Sequence, residues 1–278
     1  MLTVKPKIEL NDGHPMPVFG YGAYRVADNT QGEAVTLAAI DAGYLHIDTA
    51  SAYQNEDAIG NALAASPVAR EELFITSKLW IDEQGSSETP VAIENSLRRL
   101  KTDYLDLLLI HWPRDDRMAA CWDAMQQAVS TKKIRSIGIS TFTVKRLETF
   151  DRLCSGATPA VNQVEYHTFL QQKELREDCR KRGIALSGYC PLARALRLDD
   201  PVLVAIAKRH GKTPAQVMIR WSLQQDAPTI PKSSTPARIE SNAAIFDFEL
   251  DGADLQKIDT LDNTFEANAW RPNHEVFY

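Results

Sequence analysis

Asp48, Tyr53, Lys78 and His111 are the residues whose types and spacing could do chemistry together. Each stands at or just past the end of one of three successive strand-like runs, YLHIDT, ELFITSK and YLDLLLIH. In a barrel of parallel strands the carboxyl ends gather on one face, so side chains distant in sequence converge there. A phenol, an ammonium, a carboxylate and an imidazole in one pocket make a proton-donating site. It suits protonation of a carbonyl oxygen while a separate group delivers a hydride.

The chemistry constrains the roles. A tyrosine with a pKa of about 10 is too weak an acid to donate efficiently near neutrality, so it needs a neighbour that stabilises phenolate. Lys78 is that candidate: at an effective dielectric near 20, a unit charge about 4 Å away is worth ~4 kcal/mol, roughly three pKa units, before solvent and counter-charges reduce it. Asp48 limits this effect but keeps Lys78 ionised, and His111 can donate to the substrate oxygen and orient it. Taken singly, each residue has a blander reading. Asp48 could cap a helix, Tyr53 lie over a loop, Lys78 be a strand-end charge, and His111, before Trp112-Pro113, be a satisfied core histidine. Their joint placement on one face favours the chemical reading.

The elements that must position these groups alternate between strand-like and helix-like segments, the pattern of βα units and a parallel sheet. Strands are expected near 18–22, 44–48, 73–78, 104–111, 134–139, 160–164, 184–189 and 228–231. Helices are expected near 30–42, 56–65, 89–100, 117–130, 143–154, 171–182, 200–210, 214–224 and 236–243. Thr30-x-x-Glu33 and Thr213-Pro214-x-Gln216 read as capping boxes, Thr89-Pro90 as an N-cap with a first-turn proline, and Gly43 as a stop. Asn11-Asp12-Gly13-His14 marks a small hairpin leading into the main fold. Continuous apolar runs such as Leu105 to Ile110 suit strands covered on both faces. About eight strands alternating with helices fit an α/β, (β/α)₈ TIM barrel with an N-terminal β-hairpin, one domain over residues 1–278 with no linker or repeat.

Composition narrows the function classes. A net charge of −6 argues against nucleic acid. No apolar run approaches the ~20 residues needed to span a bilayer, and MLTVKPKIELNDGHPMP lacks a signal peptide's apolar core, so a cytoplasmic protein without membrane partners is expected. Cys121, Cys154, Cys179 and Cys190 form no CxxC pair and no His cluster has zinc spacing, so free thiols and no metal are expected. Gly20-Tyr21-Gly22-Ala23-Tyr24-Arg25 begins like a dinucleotide fingerprint but lacks its third glycine, and His210-Gly211-Lys212-Thr213 ends like a P-loop but has Ile206 at the leading position. Neither is evidence for a nucleotide.

The blocks GYGAYR, DAGYLHIDTASAYQNEDAIG, ITSKLW, LLLIHWP, IGISTF, NQVEYH, YCPLA and IPKSSTPARIESN run in the order in which they occur in aldo-keto reductases, and the chain resembles that family along nearly its whole length. It is most similar to short bacterial members that reduce 2,5-diketo-D-gluconate, methylglyoxal and other small carbonyls. The resemblance implies a barrel holding NADPH, with Tyr53 as general acid, Lys78 and Asp48 as its tuning pair, and His111 orienting the carbonyl. It further implies Ser140 and Gln163 on the nicotinamide carboxamide, Tyr189 stacked on the ring, and Gly22, Ala23, Thr141, Pro191 and Leu192 along the cofactor. Lys232, Ser233, Ser234 and Arg238 would bind the adenosine 2′-phosphate and Asn242 the adenine. Arg forks onto phosphate oxygens, and Thr235-Pro236 starts a helix whose N-terminal end favours anions; a solvated basic edge is the alternative for Lys232 and Arg238.

Asn162 neighbours the carboxamide site, with a strand-end hydrogen bond as its alternative role. Tyr24, Trp80 and Trp112 are implied to line the substrate pocket, with Trp270 and the tail RPNHEVFY closing it, although aromatic residues after strands are otherwise usually core. Two positions depart from the family pattern. Thr141 stands where many members have Asn, and Ser241 replaces the Glu that often precedes Asn242; altered cofactor affinity is expected from both. The expected partner is a small carbonyl substrate, acted on by a monomer. Two rival readings are an NADPH-sensing subunit with little turnover and a barrel hydrolase or lyase using Lys78 as an amine. The second leaves the IPKSS…R block without a purpose.

Overall fold

Seven parallel strands form in the order of the sequence, and each pairs with the next. They are β3 (Tyr21–Gly22), β4 (His46–Asp48), β5 (Phe74–Leu79), β6 (Leu105–Ile110), β7 (Ile134–Ser140), β8 (Val161–Glu165) and β9 (Ala185–Tyr189). The structure, a computed structural model, describes residues 6–267. Phe74 to Leu79 and Leu105 to Ile110 are buried at every position, as strands covered on both faces must be. Burying each large apolar side chain contributes about 1.5–3 kcal/mol, so β6 alone anchors the sheet strongly.

The sheet closes through residues 228–231. Thr229 bridges Phe19 on one side and Gly188 on the other, both in parallel. Thr229 N donates to Val18 O at 2.9 Å and Ile230 N to Gly188 O at 3.2 Å. This eighth segment is therefore reduced to single bridges where the sequence pattern suggests a full strand. Pro228 and Pro231 flank it and have no N–H to give a ladder. Gly22 lies against it so closely that an added Cβ would meet Ile230 O at 2.7 Å, which is why this position takes no side chain.

The hairpin β1 (Lys7–Glu9) and β2 (Pro15–Pro17) turns at Gly13, whose φ of +85° is in the left-handed region. Leu10 and Met16 pack on Phe74, Leu107, Leu109 and Val161. These plug the amino ends of the strands, leaving the carboxyl ends as the accessible face.

The outer helices are α1 (Thr30–Asp41), α2 (Glu56–Ala65), α3 (Glu88–Leu100), α4 (Met118–Ser130), α5 (Val144–Leu153), α6 (Lys173–Lys181), α7 (Pro201–His210), α8 (Pro214–Gln224), α9 (Pro236–Ala243) and α10 (Gly252–Asp259). The Thr213/Gln216 capping box forms as expected. Two other caps differ. Asn29, not Thr30, caps α1, accepting from Gln31 N and Gly32 N. Helix α3 starts at Glu88, and Thr89 Oγ1 instead donates to Glu83 O at 2.9 Å. Helix α10 has no counterpart among the expected helices; it starts from an Asp251/Asp254 capping box. Among the described residues no helix is long and apolar enough to cross a membrane.

Candidate active site

Strand-end geometry brings the four chemical residues together. Asp48 ends β4, and the chain turns at once through one 3-10 turn, Ser51–Tyr53, which carries the phenol back over the barrel mouth. Lys78 lies one pleat before the end of β5, and His111 follows β6. Lys78 is 1% exposed and Asp48 2%. The Lys78 ammonium contacts Asp48 Oδ1 and donates to Thr49 O at 2.9 Å. Asp48 Oδ2 accepts from Gln163 Nε2 at 2.7 Å, so the carboxylate has charge-assisted partners on both oxygens. Lys78 Nζ lies 5.2 Å from the centre of the Tyr53 ring. The His111 ring stands edge-on to Tyr53 at 5.5 Å and to Trp80 at 5.0 Å.

Burial dominates the protonation of these groups. It lowers the Lys78 ammonium, an effect the Asp48 carboxylate opposes by contact and hydrogen bonding. Burial pushes the Tyr53 phenol well above its ordinary range, and Asp48 adds to the rise. That direction is opposite to the acidification expected from Lys78, because desolvation penalises phenolate and Asp48 neutralises the ammonium. Burial, then the Lys78 charge, lowers His111 well below the ordinary histidine range, so its imidazole is neutral at physiological pH. Its buried Nδ1 has no partner among the described residues, which distinguishes it from a satisfied core histidine.

Tyr53, Asp48 and His111 open into a cleft of about 540 Å³, together with Tyr24, Trp80, Trp112, Gly22, Ser140, Thr141, Gln163 and Tyr189. Lys78 sits behind its wall. So does Ala23, whose N–H donates to Asp48 O at 2.8 Å. Ser140 Oγ donates to Gln163 O at 2.8 Å, and Thr141 N donates to the same oxygen at 2.9 Å. Asn162 faces away, donating to Phe142 O at 2.9 Å, so the strand-end bond is the role it fills.

A second cleft of about 590 Å³ carries Pro191, Leu192, Lys232, Ser233, Ser234, Arg238, Ser241 and Asn242. The two clefts share Tyr24, Arg25, Cys190 and Lys232, and so form one continuous path. Neither Lys232 nor Arg238 has an ion-pair partner among the described residues; Lys232 Nζ reaches only Ser234 Oγ, at 3.4 Å. Two cations left without counter-charges beside the start of α9 fit an anion, and the connected clefts fit an extended molecule with one end at Tyr53. Sequence reasoning missed Arg25 and Cys190 at the shared rim. It also missed Asn55, which ties the loop after β3 to the 3-10 turn by donating to Ala23 O at 2.8 Å and Val26 O at 3.1 Å. Trp270 and the tail lie outside the described residues.

The sequence profile of the Aldo/keto reductase family matches residues 18–263. The chain belongs to that family. It is 46% identical over 277 residues to the glyoxal reductase of Bacillus subtilis, covering 99% of each chain. It is 45% identical over 262 residues to an aldo-keto reductase of Mycolicibacterium smegmatis, covering 93% of this chain and 94% of that one. A crystal structure of an aldo/keto reductase from Brucella melitensis superposes with a TM-score of 0.89 at 41% identity, over 93% of this chain and 100% of the other. As an aldo/keto reductase this protein is an oxidoreductase of a barrel family that works with NAD(P)H.

Proposed function

We propose that this aldo/keto reductase catalyses the reversible, NADPH-dependent reduction of small aldehydes, α-dicarbonyls and keto sugars to alcohols, with Tyr53 as the proton donor. The observation that carries this reading is the buried Lys78–Asp48 pair beneath the Tyr53 ring: Tyr53, Asp48 and a neutral His111 face one cleft, Lys78 lies behind its wall, and that cleft is continuous with a cationic groove. Glyoxal is an α-dicarbonyl, and the relative named for its reduction covers 99% of this chain. Methylglyoxal and 2,5-diketo-D-gluconate belong to the same substrate range. In this reading the protein is a monomeric, cytoplasmic, single-domain enzyme.

The clefts fit the dinucleotide in size, continuity and charge. Lys232, Ser233, Ser234 and Arg238 would hold its 2′-phosphate, Asn242 its adenine, and Ser140, Gln163 and Tyr189 its nicotinamide end. When bound, NADPH supplies the hydride taken up by the carbonyl carbon. The chain's own residues handle the oxygen. The high pKa of Tyr53 keeps its proton in place across the neutral range, the state a donor needs. An oxygen becoming alkoxide is more basic than phenolate, so the Tyr53 proton moves to it as negative charge develops. The ammonium near the ring offsets the charge left on the phenol, and Asp48 keeps that ammonium protonated against burial. Neutral His111 offers one N–H to the carbonyl oxygen. Tyr24, Trp80 and Trp112 exclude water, which strengthens each of these interactions.

The test is Tyr53→Phe, which retains the ring and its packing. Turnover of methylglyoxal is expected to vanish while NADPH binding, read by fluorescence, stays nearly unchanged. Turnover at the parent rate would refute the assignment of the donor.

A further inference from the structure

Residues Ile81 to Gln84, just past Trp80, carry no chemistry of their own, yet they touch three of the strand ends that form the site. Ser51 Oγ, on the turn that carries Tyr53, donates to Glu83 Oε2 at 2.5 Å. Trp80 N, two residues after Lys78, donates to the same oxygen at 2.7 Å. The Ser51 hydroxyl also lies 3.0 Å from Lys78 O, so the Glu83 carboxylate, together with the β5 backbone, ties the turn after β4 to the end of β5. Gln84 is fully buried, and its Nε2 donates to Trp112 O at 2.9 Å, next to His111. The turn itself is fixed from outside the site: Thr89 Oγ1 donates to Glu83 O at 2.9 Å, and Arg117 Nη1 donates to Gln84 O at 3.2 Å.

We propose that Glu83 is a positioning residue for the reaction: with Gln84 it forms a brace that sets the Tyr53 turn against Trp80 and Lys78 on one side and His111 on the other. The proposal rests on the reading of Tyr53 as proton donor. A 3-10 turn of three residues has little internal stiffness, and it holds the phenol whose reach decides proton transfer. Two donors converging on an ionised oxygen make stronger, better-directed bonds than neutral acceptors would. Glu83 touches neither cleft, so its influence passes through Ser51 and Trp80.

The experiment compares Glu83→Ala, Glu83→Gln and Ser51→Ala with the parent enzyme. It measures kcat and KM for methylglyoxal at saturating NADPH, and NADPH binding by fluorescence, with Tyr53→Phe as control. Misplacing the donor by a fraction of an ångström to about 1 Å is expected to lower kcat about 10- to 100-fold in Glu83→Ala, without change in NADPH binding. Glu83→Gln keeps an oxygen acceptor and should recover most of that loss. Ser51→Ala should lose less, and because Ser51 can also donate to Lys78 O, the double variant should fall below Glu83→Ala but by less than the two single losses combined. A folded Glu83→Ala with parental kcat, or a Glu83→Gln as impaired as Glu83→Ala, overturns the brace. Should Glu83→Ala fail to fold, Ser51→Ala decides, and parental kcat in it overturns the proposal. An active Tyr53→Phe overturns the donor reading and the brace with it; an inactive Tyr53→Phe beside a parental Glu83→Ala overturns the brace alone.

Discussion

Asp48→Asn separates the structural and chemical work of the buried pair, because its two consequences run in opposite directions with pH. In the parent, the Asp48 carboxylate opposes the burial that lowers Lys78 from its ordinary value of 10.5. Removing that charge at contact distance withdraws up to ~4 kcal/mol at an effective dielectric of 20, and breaking buried pairs costs about 3–5 kcal/mol. Lys78 keeps its bond to Thr49 O, and the amide that replaces the carboxylate can still accept from Gln163, so the loss is mainly electrostatic. A lysine whose folded pKa lies below its unfolded value binds fewer protons folded than unfolded, so stability falls as pH drops below 10.5. The fall levels off once Lys78 is charged in both states, and it extends further in the variant. Urea unfolding should therefore show a larger stability deficit for Asp48→Asn at about pH 6 than at about pH 9. Activity runs the other way: turnover relative to the parent should be poorest near the alkaline end, where Lys78 sheds its proton, and should recover in part near the acid end. A deficit that is constant with pH, or larger at high pH, would refute the claim that Asp48 acts by keeping Lys78 charged.

Burial lowers His46 from 6.5 to about 4, so the stability it contributes is complete above pH 6.5 and is lost as pH falls toward 4, about 3 kcal/mol in all. His46→Gln should flatten the acid limb of stability by that order, read by urea titration from about pH 7 to 4. Arg238→Ala should weaken NADPH by about 1.5–3 kcal/mol, the worth of a hydrogen bond between charged groups, and leave NADH unchanged, as seen in the KM for each cofactor. Thr141 is a β-branched residue at φ +66°, and Asn tolerates that region more easily. Thr141→Asn should stabilise the protein by about 1 kcal/mol in denaturant unfolding.

The strand ends were legible because polar side chains able to do chemistry close strand-like runs there: Asp48 and His111 directly follow the apolar Ile47 and Ile110, Lys78 ends the run Phe74-Ile75-Thr76-Ser77, and the alternation of elements pointed to the face they share. What failed failed for local reasons. Asn29 and Thr30 are both capping residues and adjacent, so periodicity could not choose between them. Gly252 at the first position of α10 reads as a turn, and an Asp/Asp pair is an uncommon form of the capping box. The two prolines flanking Thr229 could have warned that the closing strand would be short. The protonation of Tyr53 was not legible, since it depends on how deeply the ring is buried and on Asp48 quenching Lys78. Glu83 and Gln84 lacked any pattern, and only their contacts reveal them.

Six of the residues that line the two clefts have left-handed backbone, and this bears on how the site is built. Arg25, Gln54, Thr141, Cys190, Arg194 and Ala195 all have φ between +52° and +66° and all line one cleft or both. None is glycine, and each costs roughly 1–2 kcal/mol over right-handed backbone. Loops following their own preferences would not adopt these angles, so the surrounding structure must impose them. The barrel can do so because each loop is anchored at a strand end by bonds such as Thr141 N to Gln163 O and by the Asn55 contacts to Ala23 and Val26. The rim shape is thereby set by the sheet beneath it. A path formed in advance spares binding the cost of ordering those loops and, in the proposed reaction, leaves more of the binding energy for placing the carbonyl beside Tyr53.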